Sequence, residues 1–342
     1  MRISQVMLAK GFGGAERHFV DLTLEMARRG HDVQAIVHRD FRAAKELHGV
    51  ANVCVEPIAV MGTWDIFAAR RLSKLIGAFR ADVVHAHLGR ATHLCARGAR
   101  EWDVRLVTNS HNYINLKYYT AVDAFVVPTV RQQAYLMREG VAVGKITLIP
   151  HFCRAPLGSS RPKARRAVFA SLGRMVKKKG FDVLIKACAI LRDQGYDAHL
   201  LLGGAGDESE RLRLLARESG LQQHVEFVGW VDSAAEFLNR ADVFVLPSRE
   251  EPFGIVLLEA MAAGLPIVST RTDGASEIFN EESAYLVDVD DAPALAKAMA
   301  TTTTDRTESG RRARNAQALY LAKYTADVVV PQYEALYESL GR

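Results

Sequence analysis

Two glutamates eight positions apart, Glu251 and Glu259 in EPFGIVLLEAMAAGLPIV (251–268), stand where paired carboxylates could do chemistry. Pro252 and Gly254 make the first part of that span a turn, and the apolar repeat beyond it predicts a helix over 255–263. Glu251 is then a loop residue, while Glu259 lies one turn into the helix. Between them, the backbone amides of Phe253, Gly254 and Ile255 stand at the positive end of that helix. Unpaired N–H groups and the helix dipole both favour an anion there. A phosphate site flanked by two carboxylates suits a ligand with hydroxyls on either side of a diphosphate, such as a nucleotide sugar. The same residues also fit a tight turn followed by an amphipathic helix, with Leu257, Leu258, Met261 and Ala262 in a core and both glutamates solvated.

Other stretches could complete such a site. Gly173-Arg174-Met175-Val176-Lys177-Lys178-Lys179-Gly180 follows a predicted strand. Arg174, as a fork, and Lys179, as a point charge, are placed to reach a diphosphate and to stabilise charge on a leaving nucleoside diphosphate. Lys177 and Lys178 read as solvated. Gly203-Gly204-Ala205-Gly206 is a further turn at the same edge. Gly11-Phe12-Gly13-Gly14-Ala15-Glu16 follows the first strand and permits close approach of backbone to a ligand. It is not a dinucleotide fingerprint, because Glu16 stands where the third glycine of G-x-G-x-x-G would fall. His111 ends a predicted strand and reads either as structural or as part of a site. His85 and His87 alternate along another strand end, and with no carboxylate or cysteine beside them they read as structural rather than as metal ligands. Asp288-Val289-Asp290 resembles a metal-binding D-x-D but lies too late in the chain, and reads as chance.

These residues need elements to hold them. The 342 residues suit two domains of ordinary size, and 49% hydrophobic with 24% charged residues is globular. No apolar run approaches the roughly 18 residues of a membrane span. Met1–Val6 passes quickly into a glycine-rich segment, so no secretory leader is expected. The four cysteines are scattered, as in a reduced cytoplasmic protein. Residues 1–152 hold 20 Lys/Arg against 13 Asp/Glu, and the remainder 24 against 26, so the basic surface belongs to the first half.

Strand-like runs alternate with helical repeats throughout, predicting an α/β protein with parallel sheets. Strands are expected near 3–8, 32–37, 53–58, 82–86, 105–110, 124–127 and 146–149, then near 168–172, 199–202, 225–228, 243–246 and 267–269. The helical pattern lapses at 151–162, the best linker, and Thr301–Thr304 reads as a short loop. Two successive doubly wound domains would place a cleft between the carboxyl ends of their strands. The expected parts are a first Rossmann-like domain over 1–151, a second over 152–326 and a last helix over about 327–342. The segment Trp64–Arg80 reads as a basic amphipathic helix, with Phe67, Leu72, Leu75, Ile76 and Phe79 on one side. That side fits either a core or an anionic membrane surface.

Taken together, the early Gly-Gly-Ala-Glu, the G-R-x4-K-G of 173–180, the E-x7-E of 251–259 and Thr272-Asp273-Gly274-Ala275-Ser276-Glu277-Ile278 resemble the retaining glycosyltransferases of the GT-B fold, family GT4, over essentially the whole length. The resemblance implies two Rossmann-like domains facing an interdomain cleft, the first binding the acceptor and the second the sugar donor, with the last helix crossing back to the first. It implies that Arg174 and Lys179 bind the donor diphosphate with help from the amides of Phe253–Ile255. Glu259 would hold the ribose and Glu251 would contact the donor sugar at the reacting face. His111 would lie near donor sugar and acceptor, and Gly13 and Gly14 would line the phosphate and acceptor side. Gly204 is grouped with the donor-binding residues.

No metal or cofactor is expected, and no nucleic-acid partner. The implied partners are a nucleotide-sugar donor, UDP-linked by family frequency, and a glycan or lipid-linked acceptor of the cell envelope such as a lipopolysaccharide precursor. The protein would then be cytoplasmic, with the basic first half suited to peripheral contact with the inner face of the cytoplasmic membrane. A nucleotide-sugar epimerase of the same fold and a non-catalytic sugar-nucleotide-binding protein are the alternatives. Two positions depart from the family pattern: Ile149-Pro150-His151-Phe152 replaces I-P-N-G, and Ala275 replaces a common second glycine.

Overall fold

Apolar runs of three to seven residues become strands and the 3.6-residue repeats between them become helices, in nearly strict alternation. The computed structural model describes residues 1–11, 13–158 and 167–341. They fall into two units, Met1–Phe152 with Ala326–Arg342, and Cys153–Thr325. Phe12 of the first glycine turn and residues 159–162 of the expected linker lie outside the described residues.

The first unit runs β1 (Arg2–Met7), α1 (Gly14–Arg28), β2 (Asp32–His38), β3 (Val53–Ile58), α2 (Ile66–Phe79), β4 (Val83–His87), α3 (Leu88–Glu101), β5 (Arg105–Asn109), β6 (Ala124–Val127), α4 (Val130–Arg138) and β7 (Ile146–Leu148). Its sheet is parallel in the order β3-β2-β1-β4-β5-β6-β7. The second unit runs β8 (Ala167–Leu172), α5 (Phe181–Asp193), β9 (Ala198–Gly203), α6 (Ser209–Glu218), β10 (Val225–Gly229), α7 (Ala234–Leu238), β11 (Val243–Leu246), α8 (Ile255–Ala262), β12 (Ile267–Thr270), α9 (Asp273–Ile278), β13 (Tyr285–Val287), α10 (Ala292–Thr304) and α11 (Arg306–Lys323). Its parallel sheet has the order β10-β9-β8-β11-β12-β13. Both are Rossmann-like α/β domains. Strand order reverses between β1 and β4 in one and between β8 and β11 in the other, and such reversals open crevices at strand carboxyl ends.

Helix α12 (Ala326–Leu340) belongs to the first unit. Val329, Val330, Tyr333 and Tyr337 are buried there with Leu22 and Met26 of α1, and Arg29 and His31 pair with Glu334 at 2.9 and 2.8 Å. No helix among the described residues is long and apolar enough to cross a membrane.

Thr301–Thr304 is not a loop but the last turn of α10. Its hydroxyls bond back to carbonyls three or four residues earlier, Thr301 to Lys297 at 2.9 Å and Thr303 to Ala300 at 2.8 Å. This satisfies polar groups that would otherwise favour a turn. The basic helix also differs from its sequence reading. Ala68, Leu72, Ser73 and Ile76 of α2 are buried, whereas Phe67 is 78% exposed. Phe67 sits 140° around the helix from Leu72 at 100° per residue, outside the core-facing arc.

Candidate active site

The strand-order reversal of the second unit collects most of the sequence-predicted residues. The loop after β8 carries Gly173–Gly180, and the loop after β11 carries Ser248–Gly254. Lys177–Lys179 form one tight 3-10 turn. The amides of Arg249 and Glu250 donate to the Lys178 carbonyl at 2.8 and 3.3 Å, tying the two loops together. Lys179 Nζ forms an ion pair with Glu251 Oε2, and the two side chains are only 16% and 12% exposed. Arg174 is exposed and makes no ion pair among the described residues. The structure thus joins Lys179 to Glu251 directly and leaves Arg174 at the rim of the same loop.

Helix α8 starts at Ile255 with Gly254 as its N-cap, at φ +92°. Only glycine adopts that conformation at no steric cost. No side chain caps this end, so the first-turn amides keep the character of an anion site. Glu259 is half-buried one turn in, and Leu257, Leu258, Ala260, Met261 and Ala262 are buried. The helix is therefore core on most of its surface, and its one glutamate, Glu259, is half-buried rather than part of a solvated face. The Gly274 amide donates to the Glu251 carbonyl at 2.9 Å, so α9, capped by Thr272, fixes the backbone of Glu251. Ala275 is buried in the core of this unit, which is where its extra methyl goes.

Arg249, which sequence reading passed over, locks this arrangement. Its guanidinium donates to both carboxylate oxygens of Asp182 at 2.8 and 2.9 Å, to the Lys177 carbonyl at 2.7 Å and to Asp290 at 2.7 Å. Burial alone would raise the Asp182 carboxyl, but the Arg249 fork outweighs it and holds the acid below its ordinary range. Asp290, half of the D-x-D, is thereby a structural partner of Arg249, and Asp288 lies 3.7 Å from Arg271. Gly204 sits against the Gly173 carbonyl, at φ +116°, where a Cβ would overlap that oxygen. The Gly173 amide also donates to the Gly203 carbonyl at 3.1 Å, so the glycine turn shapes the edge of the lysine loop.

In the first unit His111 is not a lone histidine. It lies just beyond β5 and is buried in a group of five rings with His18 of α1, His85 and His87 of β4, and His151 beyond β7. His111 stacks on His87 and His151 with centroids 5.4 and 5.0 Å apart, and His18 lies 4.4 Å from His151. His85 bonds the Tyr337 hydroxyl at 2.6 Å and Asn109 at 3.1 Å, and His18 bonds Tyr333 at 3.1 Å. Burial, reinforced for His18, His87 and His111 by the neighbouring rings, pushes all five below the ordinary histidine range, His85 and His151 to about 3. All five are therefore neutral at pH 7. The unusual Ile149-Pro150-His151-Phe152 stretch supplies one of the rings, and Phe152 packs on His18 at 5.4 Å. At the start of α1, Gly13 is the N-cap in extended backbone, and a Cβ there would meet only Glu16.

Residues 158–319 match the family described as Glycosyl transferases group 1, and residues 12–155 match Glycosyltransferase Family 4. The lipopolysaccharide core biosynthesis glycosyltransferase LpsD of Rhizobium meliloti is 31% identical over 294 residues, covering 84% of each chain. The chain belongs to the group 1 glycosyltransferases. LpsE of the same organism, another lipopolysaccharide core biosynthesis glycosyltransferase, is 27% identical over 339 residues, 96% of each chain. Among solved structures, HepE of Anabaena in complex with UDP and glucose superposes with a TM-score of 0.84 at 19% identity, over 99% of this chain and 100% of that one. That likeness confirms the GT-B fold of this group 1 glycosyltransferase.

Proposed function

We propose that the protein moves a sugar from a nucleotide-sugar donor, UDP-linked, to a hydroxyl of a lipopolysaccharide, polysaccharide or glycolipid precursor, with retention of configuration and without a metal. The observation that carries this reading is the Lys179–Glu251 ion pair beside the uncapped start of α8. It sets a cation and a carboxylate at the start of a helix that no side chain caps. The cell-envelope acceptor is supported by the names of LpsD and LpsE, and UDP by the nucleotide bound in the HepE complex. LpsD and LpsE are transferases by name, which favours transfer over epimerisation or binding alone.

In this reading the diphosphate leaves from the same face on which the acceptor oxygen attacks. The bond from the anomeric carbon to the leaving phosphate oxygen breaks with its electron pair going to that oxygen. The acceptor oxygen forms the new bond, and its proton passes to the leaving phosphate. Arg174, Lys179 and the amides of Phe253–Ile255 stabilise the charge that develops there, without being reorganised. Glu259 holds the ribose hydroxyls, Glu251 contacts the donor sugar, and Gly13, Gly14 and Gly204 shape the backbone around phosphate and acceptor. His111 lies beside the reacting sugar. Metal independence is supported by the engagement of Asp290 with Arg249, which leaves that carboxylate committed. Peripheral contact with anionic lipid, through the basic first half and the exposed start of α2, completes the proposal.

Incubating the protein with UDP-glucose, UDP-galactose and UDP-N-acetylglucosamine, with and without a lipopolysaccharide-precursor extract, tests it. Acceptor-dependent UDP release that persists in EDTA is the expected outcome. Turnover of donor into an epimer without acceptor overturns the reading, and loss of activity in EDTA overturns its metal-free part.

A further inference from the structure

His87 Nε2 lies 2.8 Å from Gln5 Oε1, and His87 Nδ1 lies 3.1 Å from His111 Nε2. Gln5 is fully buried in the middle of β1, and both histidines are buried. An amide oxygen only accepts, so His87 must carry its proton on Nε2. A neutral His87 then offers a bare lone pair at Nδ1. That lone pair can meet His111 Nε2 only if His111 is protonated there, since two lone pairs would otherwise face each other. A neutral His111 protonated on Nε2 has a lone pair at Nδ1, and that atom is buried with no partner. Buried ring nitrogens are rarely left unsatisfied without a reason. The residue that follows His87, Leu88, holds φ +69°, a conformation that non-glycine residues rarely keep unless their surroundings impose it.

We infer that Gln5 and His87 form a positioning relay that fixes the tautomer of His111 and presents its Nδ1 lone pair to a substrate hydroxyl. The partner of His111 Nδ1 must donate a hydrogen bond. A sugar or acceptor hydroxyl does so, whereas a phosphate or carbonyl oxygen would meet the lone pair and be repelled. The relay makes His111 a reader of a hydroxyl rather than of the diphosphate, and this half rests on the transferase reading proposed above. The direction of each hydrogen bond follows from the neighbour behind it, as expected where one ring nitrogen is set by the bond the other makes. The second chain of the cluster is built alike. Asn109 Oδ1 accepts from His85 Nε2 at 3.1 Å, so Tyr337 donates to His85 Nδ1 at 2.6 Å, and the Tyr337 hydroxyl also meets the Gln5 side chain, where the two chains join.

Long-range 1H–15N correlation spectra of the full chain labelled with 15N-histidine read the tautomers directly. In the wild type at pH 7.5, His111 and His87 are expected as Nε2–H forms, with the His111 signals assigned by their loss in His111→Gln. A wild-type His111 protonated on Nδ1 overturns the relay at once, whether or not any variant folds. Gln5→Leu, close in volume, is expected to mix the tautomers of both rings. An unmoved His111 tautomer in folded Gln5→Leu overturns the relay and leaves the transferase reading standing. In transfer assays Gln5→Leu is expected to lower kcat about tenfold, the factor a single misdirected hydrogen bond supplies, with donor KM within about twofold. A shifted tautomer with unchanged kcat overturns the hydroxyl-reading half, and with it the place of His111 in the reaction.

Discussion

Lys179 and Arg174 differ in what they already hold. Lys179 is paired with Glu251 and mostly buried, whereas Arg174 is exposed and makes no ion pair among the described residues. A ligand phosphate must share Lys179 with a carboxylate but can take both arms of Arg174. Arg174→Ala is therefore expected to slow transfer by about 10²-fold or more, the scale of a lost charge-stabilising group in a transition state, with a smaller effect on nucleotide affinity. Glu259→Gln is expected to do the reverse, weakening UDP binding by about tenfold, as loss of a charge-assisted hydrogen bond does, with kcat changed less. Calorimetric titration with UDP and steady-state transfer rates separate the two, and unchanged values in both variants would sink the assignment. Arg249 acts behind them. Arg249→Ala removes a two-oxygen fork from the half-buried Asp182 and frees the Lys177 carbonyl. The second unit should lose about 2 kcal/mol of stability, and donor KM should rise because the lysine turn loosens. Arg249→Lys keeps the charge but not the fork, and should recover only part of either loss. A thermal melt matching the wild type would show that the fork is dispensable.

At the scale of elements, the fold was legible because burial imposes period on sequence. Parallel strands covered on both faces read as continuous apolar runs, and β3, β6 and β11 have the predicted bounds. What escaped was short or weakly patterned. Strand β13 is three residues at a sheet edge, and α11 is rich in arginine and glutamate with only Ser309, Ala313, Ala316 and Tyr320 buried. Site legibility divides the same way. Lys179 and Glu251 stand 72 residues apart, yet each could be placed because each follows a strand at a chain reversal. The neighbours of His111 could not, since α1, β4 and the end of β7 meet only through the sheet order. Helix α2 mixes both cases: Leu72 and Ile76 are core, but its beginning presents Ile66 and Phe67 beside Met61, 94% exposed, and Trp64, 68% exposed. Arg70, Arg71 and Lys74 lie on the same helix, all three exposed. Apolar side chains with flanking cations suit the surface of an anionic bilayer. Sedimentation with phosphatidylglycerol vesicles should therefore capture the wild type. Met61→Ser with Phe67→Ser should reduce capture about tenfold or more, since each apolar side chain buried in lipid contributes about 1.5–3 kcal/mol. Both side chains are outside the core, so the melting temperature should not move. Equal capture of wild type and variant would remove membrane contact from the proposal.

For the whole molecule, the histidine distribution predicts unequal responses of the two units to acid. Nine of the eleven histidines belong to the first unit, five of them in the buried cluster, while the second has only His199 and His224, both half-buried. A histidine whose pKa falls on folding binds its proton more readily in the unfolded chain. Stability is therefore full above about pH 6.5, the unfolded value, and declines as pH falls, until the folded groups titrate near 3 for His85 and His151. At pH 5.5 each ring held neutral costs about 1.4 kcal/mol. Five together approach about 7 kcal/mol, against a total stability of about 5–15 kcal/mol for a domain. Nearby positive charge adds to the cost, because the first half is already basic. The carboxylates held below their ordinary range, such as Glu334 on α12, lose their contribution only at lower pH and do not offset it. Differential scanning calorimetry between pH 7.5 and 5.5 should show the first unit's transition falling by about ten degrees or more, at about 2–4 °C per kcal/mol, while that of the second moves little. Trp64 and Trp102 report the first unit and Trp230 the second, so fluorescence melts assign each transition. A single transition that stays fixed across this range would mean that the cluster takes up protons without cost, and that its rings are not held neutral by burial.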